Sequence, residues 1–373
     1  MIMKLSNIFL STLAVLLCCT ACSKDDESFK GKDADASLSI AVKAAGSAVT
    51  KGFHPNDENE LAGEAKVNNL SVLVFDESGA QLIGYGWQAT NSEGEASILN
   101  VPAMTMRAQI VIVSNTPENS LAGVTSYSDF ESKLAQLADQ SQSNLVMSSP
   151  VITTQAPLVK GDNYLGYASM GSENINGIAE PVEITRLVAR LDLVNVKTDF
   201  TKTLLRNRTV RVEEVTILNQ NTASRFFSRD YWGVVMAAGH LSNSGATALN
   251  RDIANGSPIN DTPYVHYVME NDGSEAPTEI QVRATLLETD MYEAETKIFT
   301  AVINRNGLDR GYNHNYVKRN YVYRLNVTFG DTSFDGDHEK DPNIPIPPRP
   351  TTGDLDVQVE VVNWGQVSQD VEI

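Results

Sequence analysis

The side chains with the most distinctive chemistry sit at the front of the chain. All three cysteines, Cys18, Cys19 and Cys22, precede Ser23. Thr20 and Ala21 stand directly before Cys22, and small residues there suit cleavage before a cysteine whose thiol is then acylated. The position three before Cys22, usually leucine, is Cys19; ordinary secretory cleavage near Ala21 is the alternative. Met1 to Lys4 gives a short positive stretch, and Leu5 to Leu17 an apolar one too short to span a bilayer comfortably. Cys22 is thus the expected lipid anchor, with more than one acyl chain needed for stable attachment. No thiol follows Cys22, so no disulfide framework and no cysteine nucleophile are available to the body of the chain.

The remaining residues offer little catalytic chemistry. The five histidines, His54, His240, His266, His314 and His338, are scattered. No HExxH, GxSxG, GxxxxGK[ST] or GxGxxG pattern occurs. The expectation is a protein that is not an enzyme, with no cofactor and no metal. Asp331, Asp335, Asp337 and Asp341 crowd together but lack the spacing that aims oxygens at one calcium ion, so they read as a solvated acidic linker. Tyr312, Tyr316, Tyr321 and Tyr323 interleave with Lys318, Arg319 and Arg324, a mixture that can stack on sugars or single-stranded nucleic acid. A net charge of −18 argues against nucleic acid, whose phosphates need a basic surface. Aromatics beside long basic stems on a strand are read here as sheet structure.

These residues must be positioned by strands. Leu38, Ile40 and Val42 alternate with polar neighbours and predict a first strand. "VNNLSVLVFDESGA", the segment from Arg107 to Val113, "EPVEITRLVARLDLVNVK", "TVRVEEVTILNQ", "TEIQVRATLLET", "TKIFTAVI" and "NYVYRLNVTFG" read as further strands, separated by Gly- and Asn-rich turns. The segment containing Arg186 and Arg190 lies midway and is long enough to bridge two domains. One helix is expected in "SYSDFESKLAQLADQ", with Ser128 and Glu131 at capping-box spacing and Phe130, Leu134 and Leu137 on one face. The fold class is all-β with a minor helix: two β-sandwich domains, Greek-key or transthyretin-like, plus a terminal strand.

That terminal strand is unusual. Leu355, Val357, Val359 and Val361 alternate with polar residues; the phase breaks at Trp364 and Gly365, then resumes with Val367, Val371 and Ile373. A proline-rich stretch precedes it, with prolines at 342, 345, 347, 348 and 350, and favours extended geometry. The strand is therefore expected to stand away from the preceding domain and to join the sheet of another molecule. An exposed apolar edge is otherwise a hazard.

The lipidation signal, the acidic run from Lys24 to Glu27, "VTKGF", "VNNLSVLVFDESG", "EITRLVARLDL", "RNYVYRLNVTF" and "VVNWGQVSQDVEI" occur in an order that resembles the fimbrillin family of Bacteroidales, subunits of type V pili. The resemblance runs from the signal to the last residue. It implies a two-domain pilin, exported as a lipoprotein to the outer membrane and the cell surface. It also implies that a trypsin-like protease cuts after a basic residue, here Lys51 or alternatively Lys43, and removes the strand carrying Leu38, Ile40 and Val42. The donor filling the vacated groove is then Leu355, Val357, Val359, Val361, Trp364, Val367, Val371 and Ile373 of another subunit. The organisation that follows is a signal peptide at 1–21, a tether with removable strand at 22–51, sandwiches at 52–190 and 191–330, a linker at 331–354 and a donor at 355–373. The expected partners are other copies or related pilins, the protease, membrane lipid through Cys22, and surface receptors on host or bacterium, in adhesion. A shaft subunit is the first reading. An anchor, accessory or tip subunit and a glycan-binding surface lipoprotein are the alternatives.

Overall fold

The computed structural model describes residues 33–45, 60–168, 173–226, 240–340, 351–353 and 356–364. The first half of the chain is built from alternating, β-branched-rich segments that pair as β1 (Ala36–Ala44), β2 (Lys66–Asp76), β3 (Leu82–Glu93), β4 (Glu95–Ala103), β5 (Ala108–Ser114), the short β6 (Leu134–Gln136), β7 (Met147–Ser148), β8 (Ile152–Thr153), β9 (Gly161–Leu165) and β10 (Val182–Arg186). All but β6 belong to one nine-stranded path, ordered β3-β2-β5-β7-β10-β1-β4 with β8 on β5 and β9 on β1. The path folds back on itself. Its two ends meet where Leu99 N–H donates to Gln88 Oε1 at 3.2 Å. Gly84 and Gly86 permit this approach, because a Cβ at either would stand 2.7 Å from Pro102 O or 2.8 Å from Val101 Cγ2. The enclosed core contains Leu38, Ile40, Val42, Val72, Ile110 and Ile184.

The chain leaves this layer between Arg186 and Val188. The second half comprises β11 (Val188–Asp199), β12 (Thr209–Leu218), β13 (Gln220–Asn221), β14 (Ala223–Arg225), β15 (Leu241–Ser242), β16 (Thr247–Ala254), β17 (Tyr264–Met269), β18 (Glu279–Leu286), β19 (Glu295–Val302), β20 (Tyr321–Gly330) and β21 (Asp356–Asn363). Two four-stranded sheets, β17-β11-β20-β21 and β16-β12-β18-β19, face each other across a core that includes Leu191, Val212, Ile280, Phe299 and Leu325. The phase shift read between Val212 and Val215 is a register shift in both pairings of β12. The nearly all-β class expected from the alternation is the class observed.

Three sequence expectations need correction. The helix α1 spans only Tyr127–Ser132, and its N-cap is Ser126, whose hydroxyl accepts from Asp129 N, rather than Ser128. Leu134 leaves the helix to pair with Arg225 across β6 and β14; long-range pairing overrides the local helical period. Residues 331–340 are not a solvated linker. Phe334 is buried in the second core, Asp331 accepts from the backbone N–H groups of Thr201 and Lys202 at 2.9 and 3.0 Å, and Lys297 reaches Asp335. The terminal strand does not stand away from its own domain: β21 pairs antiparallel with β20, from Asp356 against Thr328 to Asn363 against Tyr321. The chain is tied down on either side of residues 341–350, which lie outside the described residues. Lys340 N–H donates to Met291 O at 2.9 Å, and Ile298 N–H donates to Thr351 O at 2.7 Å.

Candidate assembly site

Two strands from opposite ends of the chain define the site, and one cluster of side chains connects them. β1 is an interior strand. It runs antiparallel to β4, and on its other edge parallel to β9 along Ala36–Ile40 and to β10 along Val42–Ala44. Leu38, Ile40 and Val42 are completely buried. Its other face carries Ser39, whose hydroxyl accepts from Asn100 N at 3.3 Å, and Lys43, which pairs with Glu183 at 3.5 Å. Burial raises the Glu183 carboxyl above its ordinary range, with Lys43 opposing the shift. Burying three large aliphatic side chains contributes on the order of 5–9 kcal/mol, so this strand is a substantial fraction of its layer's stability. The Lys43 peptide is paired on both edges, to Glu95 and to Glu183. A protease would have to unzip β1 to reach it. Cys22 and Lys51 lie outside the described residues.

At the other end, β21 completes its sheet on the edge of β20. Val359 is buried in the second core, with Val357 and Val361 packed beside it. Trp364, just past the strand, is 2% exposed and packs in a third cluster with Leu187, Val188, Met269 and Val322. Its indole stacks on Tyr267 with centroids 5.9 Å apart and planes 9° from parallel. The guanidinium carbons of Arg186 and Arg190 lie 4.7 and 5.3 Å from its ring centre, within range for cation–π attraction. Leu355, Val367, Val371 and Ile373 lie outside the described residues.

Glu64 is the hub of this cluster and is wholly buried. Its carboxylate accepts from Arg190 Nη1 at 2.6 Å, Tyr267 OH at 2.6 Å and Trp364 Nε1 at 3.1 Å. Arg190 also forks onto both oxygens of Asp192 at 2.8 Å. Arg186, fully buried, donates from Nε to Glu64 O at 3.1 Å and from Nη1 to Ala45 O at 2.7 Å and Trp364 O at 3.3 Å. Its Nη2 bonds Glu60. Burial pushes the Glu60 carboxyl up, and Arg186 opposes that. One guanidinium therefore holds the residue that follows β1, the approach to β2 and the residue that follows the terminal strand.

The sequence placed β1 and β21 correctly as strands but missed this cluster. Arg186, Arg190 and Asp192 share one face of an alternating segment whose other face is Leu187, Leu191 and Leu193. Charges that regular on a strand between apolar neighbours are a signal for buried ion pairs. Glu64 gave none, because it sits in a polar stretch that reads as loop. The Tyr312–Arg324 stretch is structural: Tyr323 is buried, and its hydroxyl accepts from Lys318 N at 2.7 Å. Among the described residues no group of three or more His, Cys, Asp or Glu could hold a metal ion.

The chain is thus a double-layered β protein whose first described strand lies inside one sheet and whose last described strand edges another, and comparison with known proteins shows which family builds this frame. Residues 36–186 match the family model described as major fimbrial subunit protein (FimA), and residues 187–364 match fimbrium tip subunit Fim1C-like, C-terminal domain. A candidate fimbrium tip subunit, Fim1C, of Parabacteroides distasonis is 46% identical over 98% of both chains. A major fimbrium subunit, FimA type-2, of Porphyromonas gingivalis is 25% identical, covering 98% of this chain and 99% of its own. The crystal structure of a candidate cell adhesion protein from Parabacteroides distasonis superposes with a TM-score of 0.79 at 45% identity, covering 90% of this chain and 99% of the other. The chain belongs to the Bacteroidales fimbrial-subunit family. It is a fimbrium subunit, with the cell-surface fimbrial location that its relatives imply.

Proposed function

We propose that this chain joins its fimbrium by strand exchange: a protease removes β1, and a strand from a neighbouring subunit takes its place between β4 and the β9/β10 edge. The observation that carries this reading is the construction of β1 itself. It is flanked on both edges, its apolar face is entirely buried, and a stretch containing Lys51 follows it directly. Loss of such a strand leaves two unpaired edges and an apolar trough, which main-chain pairing by an incoming strand would satisfy. The cut is assigned to Lys51 over Lys43, whose peptide is already paired on both edges. Cys22 would carry the lipid that brings the precursor to the outer membrane. Such a subunit works as a structural part in adhesion and needs no catalytic group.

Within that reading, the tip is favoured over the shaft. A tip subunit accepts a strand and donates none, and here Asp356–Asn363 is engaged with its own β20. The relative at 46% identity carries a tip-subunit name. The shaft reading keeps support from the FimA match over residues 36–186 and from the alternation that continues to Ile373. The acceptor role is tested by nicking the precursor with trypsin, washing off the leading peptide and titrating in a fluorescent peptide of residues 36–45. Saturable binding, abolished by Ile40→Asp in the peptide, is expected. A processed chain that binds neither peptide overturns the reading.

A further inference from the structure

We infer that Arg186 senses whether the β1 groove is filled and makes docking of the terminal strand depend on it. This rests on the reading of β1 as a removable strand. Ala45 clamps the end of β10 in two ways: its N–H donates to Ile184 O at 2.9 Å, and its carbonyl accepts from Arg186 Nη1 at 2.7 Å. The same Nη1 reaches the carbonyl of Trp364 at 3.3 Å, and the guanidinium lies over the indole of that residue. Ala45 is 141 residues from Arg186 in sequence, and Trp364 is 178 residues away. This one side chain brings the two acceptors to a single nitrogen.

Emptying the groove acts on Arg186 from two directions. Val182, Glu183 and Ile184 lose the parallel partners Val42, Lys43 and Ala44, so the strand that carries Arg186 becomes an edge. The guanidinium, fully buried, loses a carbonyl acceptor. A buried donor left without a partner is costly, and this one regains a partner by admitting water or turning toward it. Either response withdraws Arg186 from Trp364, loosening the indole and the strand behind it. A strand entering in the direction of β1 and reaching the position of Ala45 supplies a carbonyl at the same place. The terminal strand is therefore held firmly when the groove is occupied by β1 or by a donor, and loosened, while still docked on β20, in the interval between them. Glu60, which accepts from the guanidinium, and Glu64 and Arg190 beside it all lie outside the removed strand, so at the guanidinium itself the loss of one neutral acceptor is what distinguishes the states. The Lys43 charge that leaves with β1 is paired with Glu183 and is restored by any peptide that includes Lys43.

Amide hydrogen exchange of residues 356–363 in the full chain tests this. The precursor, the trypsin-nicked chain with its leading peptide removed, and the nicked chain refilled with peptide 36–45 or 36–43 are compared. Binding of both peptides is followed separately by fluorescence. Protection is expected to fall about tenfold or more on emptying, to return with 36–45, and to stay low with 36–43, which fills the trough but lacks Ala44 and Ala45. Arg186→Lys, which keeps the charge and loses the fork, should exchange fast in the precursor and respond to neither peptide. Protection unchanged by emptying, or restored equally by both peptides, overturns the inference. Failure of both peptides to bind instead defeats the strand-acceptor reading, and the inference falls with it.

Discussion

The buried charges around Glu64 set the chemistry of this molecule more than its exposed ones do. Glu64 accepts from Arg190, Tyr267 and Trp364, residues 126, 203 and 300 positions away. Removing it leaves Arg190 with Asp192 as its remaining carboxylate among those described. Glu64→Ala should destabilise by roughly 3–5 kcal/mol, as broken buried ion pairs do. Glu64→Gln, which keeps an acceptor oxygen, should cost clearly less. Equilibrium urea unfolding checks the order, and equal costs would mean that the carboxylate's charge is unimportant. A second residue gives a pH signature. His314 is pressed against Tyr323, its Nε2 2.7 Å from the Tyr323 hydroxyl, and burial, aided by Lys318, lowers its pKa to about 4. The folded form resists the proton that the unfolded chain takes up near pH 6.5. Stability should therefore fall as pH drops from 6.5 through 4, by something on the order of 1–3 kcal/mol. The urea midpoint of His314→Gln should show a shallower fall over that window; parallel curves would exclude this histidine as the source. Of these features the sequence carried one trace, the alternation of Arg186, Arg190 and Asp192 with Leu187, Leu191 and Leu193, and no sign of their partners. Contacts spanning a hundred residues or more leave no local pattern to read.

Strands were legible where one face meets core and the other meets water. β12 even announced its irregularity, in the shifted phase between Val212 and Val215. The misreadings arose where tertiary partners decide. Leu134 sits at the right helical spacing from Phe130, yet it pairs with Arg225. Residues 331–340 look polar, yet Phe334 fills space beside Phe299 at a centroid distance of 5.3 Å. The terminal segment shows why an alternating pattern identifies a strand but not its sheet. Period two fixes which face is apolar; the partner is fixed by where the chain is tied down, here at Lys340 and Thr351. Because β21 lies on its own β20, deleting residues 356–373 should lower the stability of the precursor. The loss of Val359, the half-buried Val357 and Val361, and Trp364 predicts a deficit on the order of 4–8 kcal/mol before relaxation. Calorimetry or urea unfolding reads this directly, and an unchanged midpoint would mean the segment is not docked in solution.

The arrangement of both strands in one chain also predicts how copies meet. A head-to-tail contact repeats without closing only if each subunit both accepts and donates. This chain has an acceptor groove beneath β1, whereas its described terminal strand is occupied by β20 and, even without the Arg186 contact, fastened at Trp364 through Glu64 and Tyr267. Donation would require peeling β21 from an apolar core and unstacking an indole, a cost repaid only if the neighbour's groove offers as much burial. The three aliphatic pockets of Leu38, Ile40 and Val42 are matched by three half-buried or buried valines in β21, so the exchange gains little over what is already held. Processed protein mixed only with itself should therefore remain monomeric on gel filtration and in unboiled gels, even at high concentration. Trp364→Ala, which removes the indole fastening, should shift the same processed sample toward ladders by cheapening release of β21. Ladders from the processed parent chain alone would place it in the shaft instead. A Trp364→Ala chain that stays folded and monomeric would mean that residues beyond the indole, and not its stack, withhold the strand.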